Sequence, residues 1–243
     1  NYPVDLCIAN FSNKADIEAE GQAVSYYSLK NGINVFKANN RGNIYVSYYS
    51  NNETAAPQVD LHFAMARENG YFKQGRDNNE EWKRILDNAV SDNIDILSNR
   101  LHVVAPVQQL RLGKVTNAEK LVLIYDSLIY REREIMGLPQ RNLEPKNHQF
   151  ARPVKSGMFA DGYGAAAYFD AWVGWTSHED FEFWGMAHEL GHNNQITPGF
   201  KWHGCGETTN NIYASWVEHK LKSKKAYGNG YHRLEDEVTG IDD

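Results

Sequence analysis

His188-Glu189-Leu190-Gly191-His192 sets two imidazoles four residues apart, with a carboxylate directly after the first. On an α-helix, four residues turn the chain by about 400° and raise it by about 6 Å, so both histidines lie on one face and can converge on one metal ion. Glu189 projects beside that face, where it can reach a water on the ion without ligating the ion itself. The chemistry that suits this spacing is metal-assisted hydrolysis with a general base at hand. Chance is a weak explanation, since this composition yields an accidental H-E-x-x-H about 0.02 times per chain. The competing reading is a surface helix whose polar His-Glu and His-Asn pairs need no metal.

A third ligand decides the class. Metzincins carry Gly and His three and six residues after the second histidine, where this chain has Gln195 and Pro198, and no methionine follows Met186 for a Met-turn. Downstream donors are His203, Cys205, Glu207, Glu218 and His219. Glu207 fits best, because Gly204-Cys205-Gly206 breaks the chain before it and Thr208–Lys222 can then run as a helix. The loop Asn193–Gly206 is long enough to bring Glu207 back toward the histidines. Two histidines, a glutamate and a water complete a tetrahedral catalytic Zn²⁺ site. His203 and Cys205 stay as competing ligands, and His203 also as a donor to the substrate carbonyl.

Ligating histidines need their other ring nitrogen fixed. Asn211, on the same helical face as Glu207, is the leading candidate, with Asn210 beside it and Asn194 ranked lower. Tyr213, Tyr168 and Tyr163 are candidates for the hydroxyl that stabilises the oxyanion. Five of the six tryptophans, Trp172, Trp175, Trp184, Trp202 and Trp216, fall in one 45-residue window. Between Gly157 and Trp175 small residues admit a substrate backbone, and Trp172, Trp175 and Tyr168 offer flat rings suited to sugars, with the two tryptophans as the substrate-binding candidates. The competing reading for this stretch is a close-packed strand and core beneath the active helix.

The elements that must position these residues change character along the chain. Alternation at Val4/Leu6/Ile8, Ile44/Val46/Tyr48 and Val59/Leu61/Phe63/Met65 predicts strands. Near Asp77 the period becomes about 3.6, with Trp82, Ile85, Leu86 and Ala89 on one face behind a polar start signal. Thr116 and Glu119 form a capping-box pattern ahead of the stripe Leu121, Ile124, Tyr125, Leu128 and Ile129, which Gly137 and Pro139 end. Between the helices, Arg100–Ala105 reads as a strand stopped by Pro106, and Gln140–Lys155 as a linker or long loop. The expected fold is α+β, with a β-rich N-terminal subdomain at 1–75 and a catalytic subdomain at 76–243.

Composition narrows the partners. At 243 residues with 42% hydrophobic and 23% charged residues, the chain is globular, and a net charge of −6 offers no footprint for nucleic acid or an anionic membrane. Its longest apolar runs fall far short of the roughly 20 residues a membrane span needs. Cys7 and Cys205, far apart in the chain, make neither a disulfide framework nor a paired zinc site. The start at Asn1 is expected of a processed, trimmed or partial sequence.

Trp184–Gln195 together with Gly206–Tyr213 resembles the enhancin-like, mucin-targeting metallopeptidases, peptidase family M60 of the gluzincin clan. A weaker likeness runs through Gly75–Ala89, the strand into Pro106, the Tyr125-Asp126 helix and Met158–Trp175. The resemblance implies zinc on His188, His192 and Glu207 with Glu189 as the catalytic base. It also implies a host glycoprotein substrate, often a mucin, cut beside an O-glycosylated Ser or Thr by a bacterial extracellular or cell-surface enzyme. Family members usually continue well beyond the third ligand, so a C-terminally shortened catalytic subdomain is expected. The alternatives are a general zinc endopeptidase without a glycan requirement and a non-catalytic glycan- or protein-binding domain.

Overall fold

The computed structural model describes residues 3–11, 24–38, 42–52, 54–195 and 202–221. The expected helix end at Lys222 lies outside them. Strands β1 (Val4–Ala9), β2 (Val24–Ser28) and β3 (Asn43–Tyr48) form a three-stranded antiparallel sheet in the order β2-β1-β3. A six-stranded mixed sheet follows, built from β4 (Tyr71–Lys73), β5 (Asn93–Leu97), β6 (Leu101–Pro106), β7 (Gln149–Val154), β8 (Met158–Asp161) and β9 (Gly164–Tyr168) in the order β4-β5-β6-β7-β9-β8. Asp95 of β5 ties the sheets together. It accepts from Tyr45 Oη at 3.0 Å and Asn43 Nδ2 at 3.0 Å, and it pairs with His102 Nε2 at 2.6 Å.

Among the described residues six α-helices, α1 (Asn79–Asp87), α2 (Val107–Leu112), α3 (Ala118–Ile135), α4 (Ala171–Trp175), α5 (Phe183–His192) and α6 (Gly206–Leu221), accompany the sheets in this α+β architecture. None among the described residues is long and apolar enough to cross a membrane. Helix α1 starts where the polar signal predicts, with the Asn78 side chain accepting from the Glu81 amide. The cap of α3 differs from expectation: Asn117, not Thr116, accepts from the Lys120 amide, and Glu119 accepts from the Asn79 amide of α1. Its stripe is buried as expected at Leu121, Tyr125, Leu128 and Ile129.

Two readings are corrected, and one element is added. Val59–Met65 forms no strand; Val59, Leu61, Phe63 and Met65 are exposed, and alternation without a partner strand cannot make a sheet. Gln140–Lys155 is only partly loop, because β7 lies inside the sheet with Arg152 buried and reaching Asp161. Pro106 ends β6 and also caps α2, an element the pattern did not announce.

Helix α5 lies between the sheet and the other helices, touching β7, β8 and β9 on one side and α3 and α6 on the other. Its N-cap Glu182 accepts from the Gly185 amide and from Trp175 Nε1, each at 3.0 Å, which binds α4 to α5. Helix α6 crosses α5 at Gly191, where a Cβ would sit 2.6 Å from Asn210 Oδ1 and 3.0 Å from Tyr213 Cβ. The second variable position of the histidine motif is therefore small because another helix occupies its space.

Candidate metal centre

His188 and His192 stand on the same face of α5, one turn apart, with ring centroids 4.9 Å apart. Glu207, in the first turn of α6, meets them: its Oε2 lies 3.0 Å from His188 Nε2 and 3.3 Å from His192 Nε2. Metal bonds of about 2.0–2.1 Å at tetrahedral angles separate two ligand atoms by about 3.3 Å, so this donor set fits one zinc-sized ion. Among the described residues these three form the one group of His, Cys, Asp and Glu side chains close enough to share a metal. His203 and Cys205, the competing donors, lie outside the group. His203 is exposed on the turn before α6, and the Cys205 carbonyl accepts from the Thr209 amide.

Glu189 is buried on α5, and desolvation, with repulsion from Glu207 second, raises its carboxyl to about 7. A carboxylate poised near neutrality can both take and return a proton, as a hydrolytic base must. Trp184, one turn before His188, stacks on that imidazole at 4.8 Å and 20°.

The polar groups behind the histidines differ from expectation. Asn211 makes no hydrogen bond to either ring; its neighbour Asn210 donates Nδ2 to the His188 carbonyl, gripping the α5 backbone instead. Gln195, which the sequence reading treated only as a departure from another motif, accepts from His192 Nδ1 through Oε1 at 3.1 Å. Its Nε2 donates to the Gly206 carbonyl at 2.6 Å. A glutamine three residues past a candidate ligand is a weak signal in sequence, because two of its partners, Gly206 and Thr209, come from another helix. Asn194 donates Nδ2 to Glu132 of α3 at 2.6 Å and accepts from Gln149 Nε2 at 3.0 Å. Glu132 is fully buried, and desolvation holds its carboxyl well above the usual carboxylate range.

Two aromatic readings are corrected. Trp172 and Trp175 have no solvent exposure; they pack edge to face at 5.4 Å, and Trp172 Nε1 donates to the Ala167 carbonyl. They are core, and no sugar can reach them. Tyr213 is also fully buried, and its hydroxyl donates to the Asn194 carbonyl at 3.2 Å, away from any oxyanion role. Tyr168 and Tyr163 stay solvent-accessible at the β8–β9 end of the sheet, and Trp202 is exposed on the turn before α6.

A family model described as peptidase M60, enhancin and enhancin-like, matches residues 66–241. A functionally unknown conserved protein from Bacillus anthracis superposes with a TM-score of 0.75 at 22% identity, over 97% of this chain and 48% of its own. A metallopeptidase in complex with Tn antigen superposes with a TM-score of 0.73 at 20% identity, over 94% of this chain and 46% of its own. TRPM8 channel-associated factor 3 from Rattus norvegicus is 22% identical over 133 residues, which is 54% of this chain and 14% of that protein. The chain thus spans about half the length of these two solved structures and a small part of the curated relative.

Proposed function

The chain belongs to the peptidase M60 family, enhancin and enhancin-like, and from that premise we propose that it is a zinc-dependent endopeptidase that cuts O-glycosylated proteins such as mucins beside the modified Ser or Thr. The observation that carries the reading is the meeting of His188, His192 and Glu207 around one point with buried Glu189 on the same helix. Zinc held there would supply Lewis acidity toward water and the scissile carbonyl. Glu189 takes the proton of the attacking water and returns it to the leaving amine. His188 and His192 present Nε2 toward Glu207, and Trp184 holds the His188 ring in that attitude. An intact base argues against a merely structural metal, which would have no use for Glu189.

The glycan preference draws support from the family and from the Tn antigen bound by one structural relative. An extracellular or cell-surface, bacterial setting goes with such a substrate. One observation favours the general peptidase instead: burial of Trp172 and Trp175 leaves Tyr168 as the one exposed member of the three aromatics expected to face sugar. The test is mass spectrometry of one peptide in glycosylated and bare forms after incubation with the protein, with and without a chelator. Chelator-sensitive cleavage of the glycopeptide alone is expected. Equal cleavage of both forms sinks the glycan requirement, and cleavage that survives chelation sinks the metal chemistry.

A further inference from the structure

Gln195 reaches both ligand-bearing helices with one side chain. Oε1 lies 3.1 Å from His192 Nδ1, while Nε2 lies 2.6 Å from the Gly206 carbonyl and 3.1 Å from Thr209 Oγ1. We propose that Gln195 is a positioning residue of the metal centre, fixing the His192 ring with Nε2 toward the ion and fastening the first turn of α6, with Glu207, to the end of α5. The proposal rests on the zinc-peptidase reading of the site.

Hydrogen-bond chemistry determines which way the amide faces. A backbone carbonyl only accepts, so the NH₂ of Gln195 must face Gly206, and Oε1 must then face His192. An amide oxygen also only accepts, so Nδ1 carries the ring proton and Nε2 keeps its lone pair. That same Nε2 is the atom 3.3 Å from Glu207 Oε2. The tautomer that Gln195 selects is the one able to ligate.

The second arm acts on Glu207. Its side chain is 79% exposed, so burial does little to orient it. Its backbone is better held. Gly206, just before it, accepts from Gln195, and Thr209, two residues after it, accepts from Gln195 and donates Oγ1 to the Cys205 carbonyl at 2.9 Å. A glutamine serving only as local glue would affect folding and leave the metal untouched, which separates the two roles by measurement.

The variants are Gln195→Met, which removes both arms, and Gln195→Glu, which keeps the acceptor toward His192 and loses the donor toward Gly206. Zinc affinity is read by competition with a chromogenic chelator, metal-free stability by thermal melting, and the His192 Nδ1 proton by its exchange rate in NMR spectra of the zinc-loaded protein. Removing such an outer partner typically weakens metal binding by about 10–100-fold. Gln195→Met should show that loss together with faster Nδ1 proton exchange, and Gln195→Glu should retain the slow exchange and recover part of the affinity. Parent-like affinity and exchange in Gln195→Met would overturn the proposal while leaving the site reading intact. If Gln195→Met does not fold, fast Nδ1 exchange in Gln195→Glu overturns it instead. Zinc binding by the parent that is indifferent to His192→Ala would sink the site reading and the proposal together.

Discussion

His188 and His192 ride on a helix whose residues Phe183 to Gly191 are almost all buried, whereas Glu207 stands on a first turn with 79% of its side chain in solvent. The two histidines are placed by packing: Trp184 stacks on one ring, and α6 seals the helix at Gly191. Glu207 is placed by its backbone, which hydrogen bonds on either side hold still. Three glutamates show the same contrast. Glu132 and Glu189 are buried and pushed up in pKa, while the Glu207 side chain stands in solvent with one oxygen against the two histidines. On the proposed reading the contrast has a purpose, because a catalytic base gains from burial when its task is proton exchange near neutral pH, whereas a metal-ligating carboxylate gains nothing from it.

The largest effect that would break this division is at Glu189. Glu189→Gln should lower turnover by about 10²–10⁴-fold with zinc content unchanged. The same variant should stabilise the metal-free protein above about pH 5. Because the folded-state pKa is raised, to about 7, the native state holds a proton that the unfolded state has lost, so parent stability falls with rising pH through that window. Turnover at the parent rate, or melting curves of parent and variant that stay parallel from pH 5 to 8, would show that burial does not tune this carboxyl.

Glu207 tests the other side. Glu207→Ala should weaken zinc binding by at least about 100-fold, or roughly 2.7 kcal/mol, and leave metal-free melting within about 0.5 kcal/mol of the parent, as an exposed side chain permits. His188→Ala should lose zinc and also metal-free stability, through the Trp184 stack. If the glutamate and histidine variants destabilise the metal-free protein equally, the contrast between packed and backbone-held ligands fails.

Glu132 sharpens the account of how α5 is anchored. Glu132→Gln keeps an acceptor for Asn194 and removes the ionisable group. The raised pKa means the parent's contribution is intact below about pH 4.3 and is lost as pH climbs, by up to about 1.4 kcal/mol per unit until the folded pKa is passed. Urea midpoints should therefore coincide near pH 4 and diverge in favour of Glu132→Gln at pH 5.5 and 7. Coincidence at all three would mean that Glu132 is ionised in the native state.

The features legible in the sequence were those whose chemistry is local. The i, i+4 histidines, the Gly-delimited Glu207, β1, β3 and the stripe of α3 each carry their cause within a few residues of themselves. What misled was relational. Val59–Met65 has the strand alternation without a partner strand, and β7 hides its burial behind Arg152, whose guanidinium Asp161 answers, and Pro153, which lies past the β6 pairing that ends at Ala151. The tryptophan cluster was a core signal as much as a surface one, and only the packing around Ala167 decides between them. Gln195 was unreadable for the same reason, since its role exists only where α6 returns.

Tyr213 offers the finest test of that packing, because a hydroxyl beside a hydrolytic site invites a catalytic reading. Its ring is sealed between α5 and α6, with Cβ against Gly191, and its hydroxyl donates to the Asn194 carbonyl. Removing an oxyanion donor typically costs about 10²–10³-fold in kcat, whereas removing one ordinary internal hydrogen bond costs about 0.5–1.5 kcal/mol of stability. Tyr213→Phe preserves the ring and its packing, so the two roles separate cleanly. The expected result is kcat within about threefold of the parent, unchanged zinc affinity, and a stability loss of about 1 kcal/mol in urea unfolding. A hundredfold fall in kcat with parent stability would return Tyr213 to the reacting groups and require α6 to present its first two turns to substrate, opposite to the arrangement in which α6 delivers Glu207 alone and closes over α5 with the rest of its length.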